Sequence, residues 1–215
     1  MTLPEKRQRT LVKICGVRTV EVAAQALQAG ADAVGVVAVP GSPREVSPAE
    51  ACRVAGADPL RTVLVLRDPD AERLELARNW AGPVQIHPPS PMPDRGHVQA
   101  LAFHSISQLS PTPRQTAWLL DAPAAGAGEA WSWPRSHLLP TGLPVILAGG
   151  LTLQNVAHAI RHALPWAVDV SSGVERVRGT KDLELIRGFI DAVHACDRSD
   201  GRTQQPSPTG FEALR

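Results

Sequence analysis

Five side chains able to do chemistry fall where apolar runs of this sequence stop. Cys15 closes "LVKIC", His87 closes "PVQIH" and Asp121 closes "TAWLLD". Asp169 lies near the end of "WAVDV", and Arg44 sits in "GSPREVS", just beyond "ADAVGVVAV". Small residues accompany them: Gly149 and Gly150 end "PVILAGG", and Ser171, Ser172 and Gly173 follow Val170. A thiol and a carboxyl group can move protons as base and acid. An arginine fork matches a carboxylate or phosphate. Glycine and serine loops bring backbone N–H groups and hydroxyls close to a phosphate, most effectively at a helix N-terminus. The set points to a site for a small phosphorylated molecule.

Each residue alone has a plainer reading. A cysteine at a strand end is usually a small buried hydrophobe, and an aspartate there can cap a turn. Arg44 could be a solvated loop charge, and His87, before Pro88 and Pro89, a plug of the rim. Gly149–Gly150 could be a simple strand-to-helix turn, and the two serines helix caps. The residues gain meaning only if one fold brings them to the same end.

The order of elements supplies such a fold. Apolar runs at "LVKICG", "ADAVGVVAV", "RTVLVLRD", "PVQIH", "HVQALAFHS", "TAWLLD", "PVILAGG" and "WAVDVSSG" read as eight strands. Helical patterns follow most of them. "TVEVAAQALQAG" has Thr19 as N-cap and Gly30 as stop, and "SPAEACRVAG" has Ser47 as N-cap with Pro48 at the first helical position. "DPDAERLELARNWA", "LTLQNVAHAIRHAL" and "KDLELIRGFIDAVHAC" complete the readable helices. Continuous apolar strands alternating with helices argue a parallel sheet. Eight repeats in 215 residues suit a single (β/α)8 barrel, which carries its chemistry at the C-terminal strand ends and commonly binds phosphate after strands seven and eight. Between about His87 and Arg114 the chain is Pro-rich, so short or irregular helices are expected in the middle. Residues 1–196 are read as the barrel and the polar residues 197–215 as a disordered tail. A doubly wound open sheet competes, but no G-x-G-x-x-G follows the first strand.

A formal net charge of +1 offers no broad attraction to nucleic acid or to an anionic membrane. No apolar run reaches the roughly 18 residues needed to span a bilayer. The three cysteines, Cys15, Cys52 and Cys196, form neither a disulfide framework nor a metal knuckle, and free thiols fit the cytoplasm.

Taken together, "VKICGVRT", "GADAVGVVAVPGSPREVSP", "LLD" with "GAGEAWSW", "PVILAGGLTLQNV" and "AVDVSSGVE" resemble the phosphoribosylanthranilate isomerases of tryptophan biosynthesis. The resemblance implies a single barrel and an Amadori rearrangement of N-(5-phosphoribosyl)anthranilate to the 1-deoxyribulose 5-phosphate derivative. It implies Cys15 as general base and Asp121 as general acid. It further implies Arg44 at the anthranilate end, Asp169 near the substrate nitrogen, and His87 as the retained histidine of the strand-four motif. Gly149, Gly150, Ser171, Ser172 and Gly173 match the phosphate loops, and Gly126 and Gly128 a glycine-rich closing loop after strand six. No metal or redox cofactor is needed, and family members are monomers or homodimers.

The chemistry explains the types. A carboxyl group must hold a proton at neutral pH to open the ribose ring, so its pKa must be raised. A thiolate then removes the C2′ hydrogen, which calls for a lowered thiol pKa. Strands one and six lie far apart around the ring, placing base and acid on opposite sides of the sugar. Strands three, four and five depart from the family pattern at "VLVLRD", "QIHPPSP" and "LAFHS". A divergent paralogue acting on a related phosphoribosyl amine, or a non-catalytic phosphate-ligand binding module, is the alternative reading. Lys13 shares a strand face with Cys15 and is expected lower in the barrel, beside the thiol or beside an interior carboxylate.

Overall fold

A computed structural model describes residues 8–87, 95–102, 114–122, 133–136, 139, 142–202 and 210–215. Eight parallel strands close into one barrel in sequence order: β1 (Leu11–Cys15), β2 (Ala33–Val37), β3 (Thr62–Arg67), β4 (Val84–His87), β5 (His97–Ala102), β6 (Gln115–Asp121), β7 (Val145–Leu147) and β8 (Ala167–Val170). β8 pairs back onto β1, with Lys13 opposite Asp169, so the ring has no edge and the open-sheet alternative is excluded.

Helices α1 (Val20–Gln28), α2 (Pro48–Ala55), α3 (Ala71–Asn79), α4 (Val156–Ala163) and α5 (Leu183–Ser199) pack outside. Their starts are local. The Thr19 hydroxyl accepts the Val22 N–H, and Ser47 forms a reciprocal capping box with Glu50 ahead of Pro48. Gly30 leaves α1 with φ of +108°, a backbone state that favours glycine. Among the described residues no α-helix stands between β4 and β7. The segments 88–94, 103–113 and 123–132, with the expected closing-loop residues Gly126 and Gly128, lie outside the described residues.

Period-two alternation divides the buried side chains into two layers. Val12, Ile14, Val34, Val36, Leu64 and Leu66 point outward against Ala23, Ala26, Val54, Ile186 and Phe189 of the helices. Leu11, Cys15, Ala33, Val63, Val65, Ala117, Leu119, Ile146 and Ala167 point into the barrel. Both faces are buried, which is why the strands read as unbroken apolar runs.

The end of the chain corrects the expectation of a disordered tail after Cys196. α5 continues to Ser199, and Arg202 is buried, donating to the Thr10 hydroxyl at 3.0 Å and pairing with Asp197 at 3.3 Å. Phe211 and Leu214, in a 3-10 turn over Phe211–Leu214, join the interior cluster at the N-terminal ends of the strands. The Phe211 ring lies 5.1 Å from that of Trp166, and the Thr116 hydroxyl donates to the Leu214 carbonyl at 3.0 Å. The barrel is thus plugged from below by the last residues of its own chain. Residues 203–209 lie outside the description.

Candidate active site

The C-terminal strand ends open into a cavity of about 390 Å³, within the size range of small-molecule sites. Cys15, Arg44, His87, Asp121 and Asp169 all line it, with Gly149, Gly150, Ser171 and Ser172. Gly173 does not. Its Cα packs against the Leu151 carbonyl, where a Cβ would collide, so it lets the loop after β8 pass close to the loop after β7. Ser42, Arg67, Gln85 and Arg178 add to the polar lining. Arg67 follows from β3 alternation, because Val63 and Val65 also face inward.

The floor of the cavity is a buried polar chain. Lys13, fully buried, donates from Nζ to Asp169 Oδ2 and to Gln85 Oε1, each at 2.9 Å. With its oxygen so occupied, Gln85 turns Nε2 toward His87 Nε2, 2.9 Å away. The amide N–H donates, so the imidazole accepts at Nε2 and carries its proton on Nδ1. Burial, with the charges of Arg67 and Lys13, pushes His87 down to about 3 and keeps it neutral. Lys13 lies one layer below Cys15 and pairs with a carboxylate, and the thiol also feels its charge. Burial pulls the Lys13 ammonium toward neutrality, but Asp169 and Cys15 outweigh it and its pKa is raised. Asp169 Oδ1 is buried and has no hydrogen-bond partner among the described residues. Such an oxygen is costly to leave unmatched, and it belongs to a side chain that lines the cavity.

The two proton-transfer candidates differ electrostatically. Burial, reinforced by the charge of Asp169, pushes the Asp121 carboxyl up from 3.8 to about 6, against the pull of Arg67 and Lys13. Its Oδ1 accepts the Ala122 N–H at 2.8 Å. The Cys15 thiol is raised, not lowered as its expected role demands, because burial and Asp169 outweigh Lys13 and Lys181. Gly35 makes room for it: a Cβ there would lie 2.9 Å from Sγ.

The anion loops are built from backbone needs. Gly149 and Gly150 have φ of +82° and +64°, conformations open to glycine. Asn155 holds that turn, donating from Nδ2 to the Gly150 carbonyl and accepting the Thr152 N–H, both at 2.8 Å. Ser171 makes no capping bond; its hydroxyl donates to the Cys15 carbonyl at 3.0 Å. A hairpin of β9 (Glu175–Val177) and β10 (Thr180–Lys181) follows. Nothing local in the sequence marks Glu175 or Lys181 as site residues, although the charged run "ERVRGTK" around Gly179 is a turn signal.

Among the described residues, no helix is long and apolar enough to cross a membrane, and no group of three or more His, Cys, Asp or Glu side chains is arranged to hold a metal ion.

The family model "N-(5'phosphoribosyl)anthranilate (PRA) isomerase" matches residues 12–192. The chain is 39% identical over 202 residues to the N-(5'-phosphoribosyl)anthranilate isomerase of Pseudomonas savastanoi pv. phaseolicola, covering 85% of this chain and 96% of that protein. It is 38% identical to that of Chromohalobacter salexigens, covering 90% and 97%. The structure of the Thermus thermophilus phosphoribosyl anthranilate isomerase superposes with a TM-score of 0.73 at 31% identity, over 86% of this chain and 99% of that one. An isomerase in complex with reduced 1-(o-carboxyphenylamino)-1-deoxyribulose 5-phosphate superposes at 0.69 and 30% identity, with the same coverage. With the match spanning the barrel from β1 to α5, the chain belongs to the N-(5'-phosphoribosyl)anthranilate isomerase family.

Proposed function

We propose that the protein isomerises N-(5-phosphoribosyl)anthranilate to 1-(2-carboxyphenylamino)-1-deoxyribulose 5-phosphate, with Cys15 as base and Asp121 as acid. The observation that carries the assignment is one cavity lined by both residues and by the loops after β7 and β8. In this reading, the amides of Gly149 and Gly150 and the Ser171 and Ser172 loop hold the phosphate. Asp121, with its pKa at about 6, delivers a proton to the ring oxygen, and the sugar opens to a Schiff base. The Oδ1 of Asp169, without a hydrogen-bond partner among the described residues, takes the N–H of the substrate amine. Cys15 then removes the C2′ proton, and the enolamine tautomerises to the ketone. No atom is gained or lost. Because the thiol is raised, the base works from a minor thiolate fraction, stabilised by Lys13 and Lys181.

Loss of anthranilate-type fluorescence from freshly made substrate measures the reaction. Wild-type protein is expected to turn over, and Cys15→Ala and Asp121→Ala to be severely impaired. Full activity in both variants overturns the acid–base assignment. Growth of an isomerase-deficient tryptophan auxotroph carrying the gene tests the substrate. A related phosphoribosyl amine is the second reading, favoured by the departure at "VLVLRD", whose Arg67 lies on the cavity wall. Soluble expression without rescue would select it.

A further inference from the structure

We infer that Glu175 and Lys181, on the hairpin after β8, are positioning residues that aim Arg44 at the aryl carboxylate of the substrate and keep it net cationic. The inference rests on the proposed function, which puts the anthranilate end at Arg44. Arg44 donates from Nε and Nη2 to the two carboxylate oxygens of Glu175, at 2.8 Å each. This is the bidentate geometry in which an arginine is most strongly oriented. It consumes one edge of the guanidinium and leaves the Nη1 edge for the cavity that Arg44 lines. The stem is confined as well: a Cβ at Gly16 would stand 2.5 Å from Arg44 Cδ.

A buried arginine–glutamate pair is neutral, and a neutral pair attracts a carboxylate poorly. Lys181 removes that difficulty. Its ammonium, on a side chain only 2% exposed, donates to Glu175 Oε1 at 2.5 Å. Two cations and one anion leave this wall with one net positive charge, delivered through the free edge of Arg44. The other donors of Lys181 reach the Ser171 carbonyl at 2.9 Å and its hydroxyl at 3.2 Å. Ser171 Oγ in turn donates to the Cys15 carbonyl at 3.0 Å. One lysine therefore ties the arginine wall to the serine loop after β8, which the proposed function assigns to phosphate. Glu175 closes the unit by accepting the Gly179 N–H at 3.0 Å. The spacing between the two anion anchors is thereby set by the hairpin, and neither Glu175 nor Lys181 need touch the substrate.

The test is a KM-against-kcat split in the isomerase assay. Loss of orienting contacts that act equally on substrate and transition state raises KM and spares kcat. Glu175→Ala is expected to raise KM about 100-fold, the scale of a 1 Å misplacement, and Glu175→Gln about tenfold, with kcat within about threefold for both. Lys181→Met is expected to raise KM about tenfold and also to lower kcat, because Lys181 supports the Cys15 thiolate as well, and Lys181→Arg to restore both to within about threefold. Competitive inhibition by two probes locates the effect. For Glu175→Gln, inhibition by anthranilate weakens about tenfold while inhibition by inorganic phosphate holds within about twofold. Glu175→Gln preserves the shape of the site and carries the test should the alanine variant fail to fold. An unchanged KM in Glu175→Gln, or equal weakening of both inhibitors, overturns the inference while wild-type turnover leaves the proposed function standing. Absence of turnover in the wild type overturns the proposed function itself, and the inference with it.

Discussion

The two ends of the barrel interior are made by the same eight strands and have opposite chemistry. At the N-terminal end, Leu11, Ala33, Ala117 and Ala167 meet Phe211 and Leu214 in an apolar plug. At the C-terminal end, Cys15, Gln85, His87, Asp121 and Asp169 surround an open cavity. Burying apolar surface stabilises the first. The second holds a carboxyl raised by burial, a raised thiol and an unmatched carboxylate oxygen, each of which works against folding. Stability and chemistry are therefore separated along the barrel axis, as the general division between the faces of such barrels leads one to expect. The Lys13–Asp169 pair lies at the boundary and should serve both.

The largest effect is expected at the open end. Cys15→Ala and Asp121→Asn should each lower kcat/KM by about 10²–10⁴-fold, or about 2.7–5.5 kcal/mol of transition-state stabilisation. Stability should move the other way for Asp121→Asn. The fold raises this carboxyl from 3.8 to about 6, so above pH 6 its charge opposes the folded state, and a neutral amide removes that opposition. The thermal midpoint at neutral pH should equal or exceed the wild type. A fall of several degrees would mean that the open end also holds the fold together.

At the boundary, Lys13→Met leaves Asp169 a buried carboxylate without its cation, at a cost of about 3–5 kcal/mol in a urea titration. Activity should fall in the same variant. A Lys13→Met/Asp169→Leu double variant should regain much of the stability and none of the activity, because an apolar pair can replace a buried ion pair. At the closed end, Phe211→Ala should cost about 3 kcal/mol through lost burial and a cavity, while kcat/KM of the folded protein stays within about twofold. An equal loss of activity there would break the separation.

Much of this division was legible in the residues. Runs buried on both faces, such as "VGVV" and "TVLVL", announced parallel strands, and Thr19 and Ser47 announced helix starts. Once the strands were placed, the rim residues followed from their position at strand ends. What remained hidden was long-range. Glu175 acquires its meaning from Arg44, 131 residues earlier, and Lys181 from both. The raised thiol of Cys15 depends on its burial in the closed barrel and then on Asp169, brought beside it by β8. Phe211 and Leu214 are isolated apolar residues beyond a polar stretch, with no periodicity to mark them as core. Nothing local signals that a barrel floor awaits them.

The smallest effect, and the sharpest probe of the open end, is the pH profile. The productive free enzyme holds a protonated Asp121 and an ionised Cys15, whose pKa values lie at about 6 and above the ordinary 9.0 of a thiol. The acid is thus the stronger of the two, and the working pair is the minority protonation state. Between those values the protonated fraction of Asp121 falls tenfold per pH unit while the ionised fraction of Cys15 rises tenfold, so their product is flat. It amounts to about one molecule in a thousand or fewer. kcat/KM should therefore show a plateau from about pH 6 to beyond pH 9, falling tenfold per unit on either side. The substrate phosphate also ionises near pH 6, so the acidic limb needs an owner. Asp121→Glu, which alters burial and reach, should move that limb if it belongs to the carboxyl and leave it in place if it belongs to the phosphate. A narrow optimum near neutrality in the wild type would instead mean a thiol well below 9 and a lysine field at Cys15 strong enough to overcome its burial.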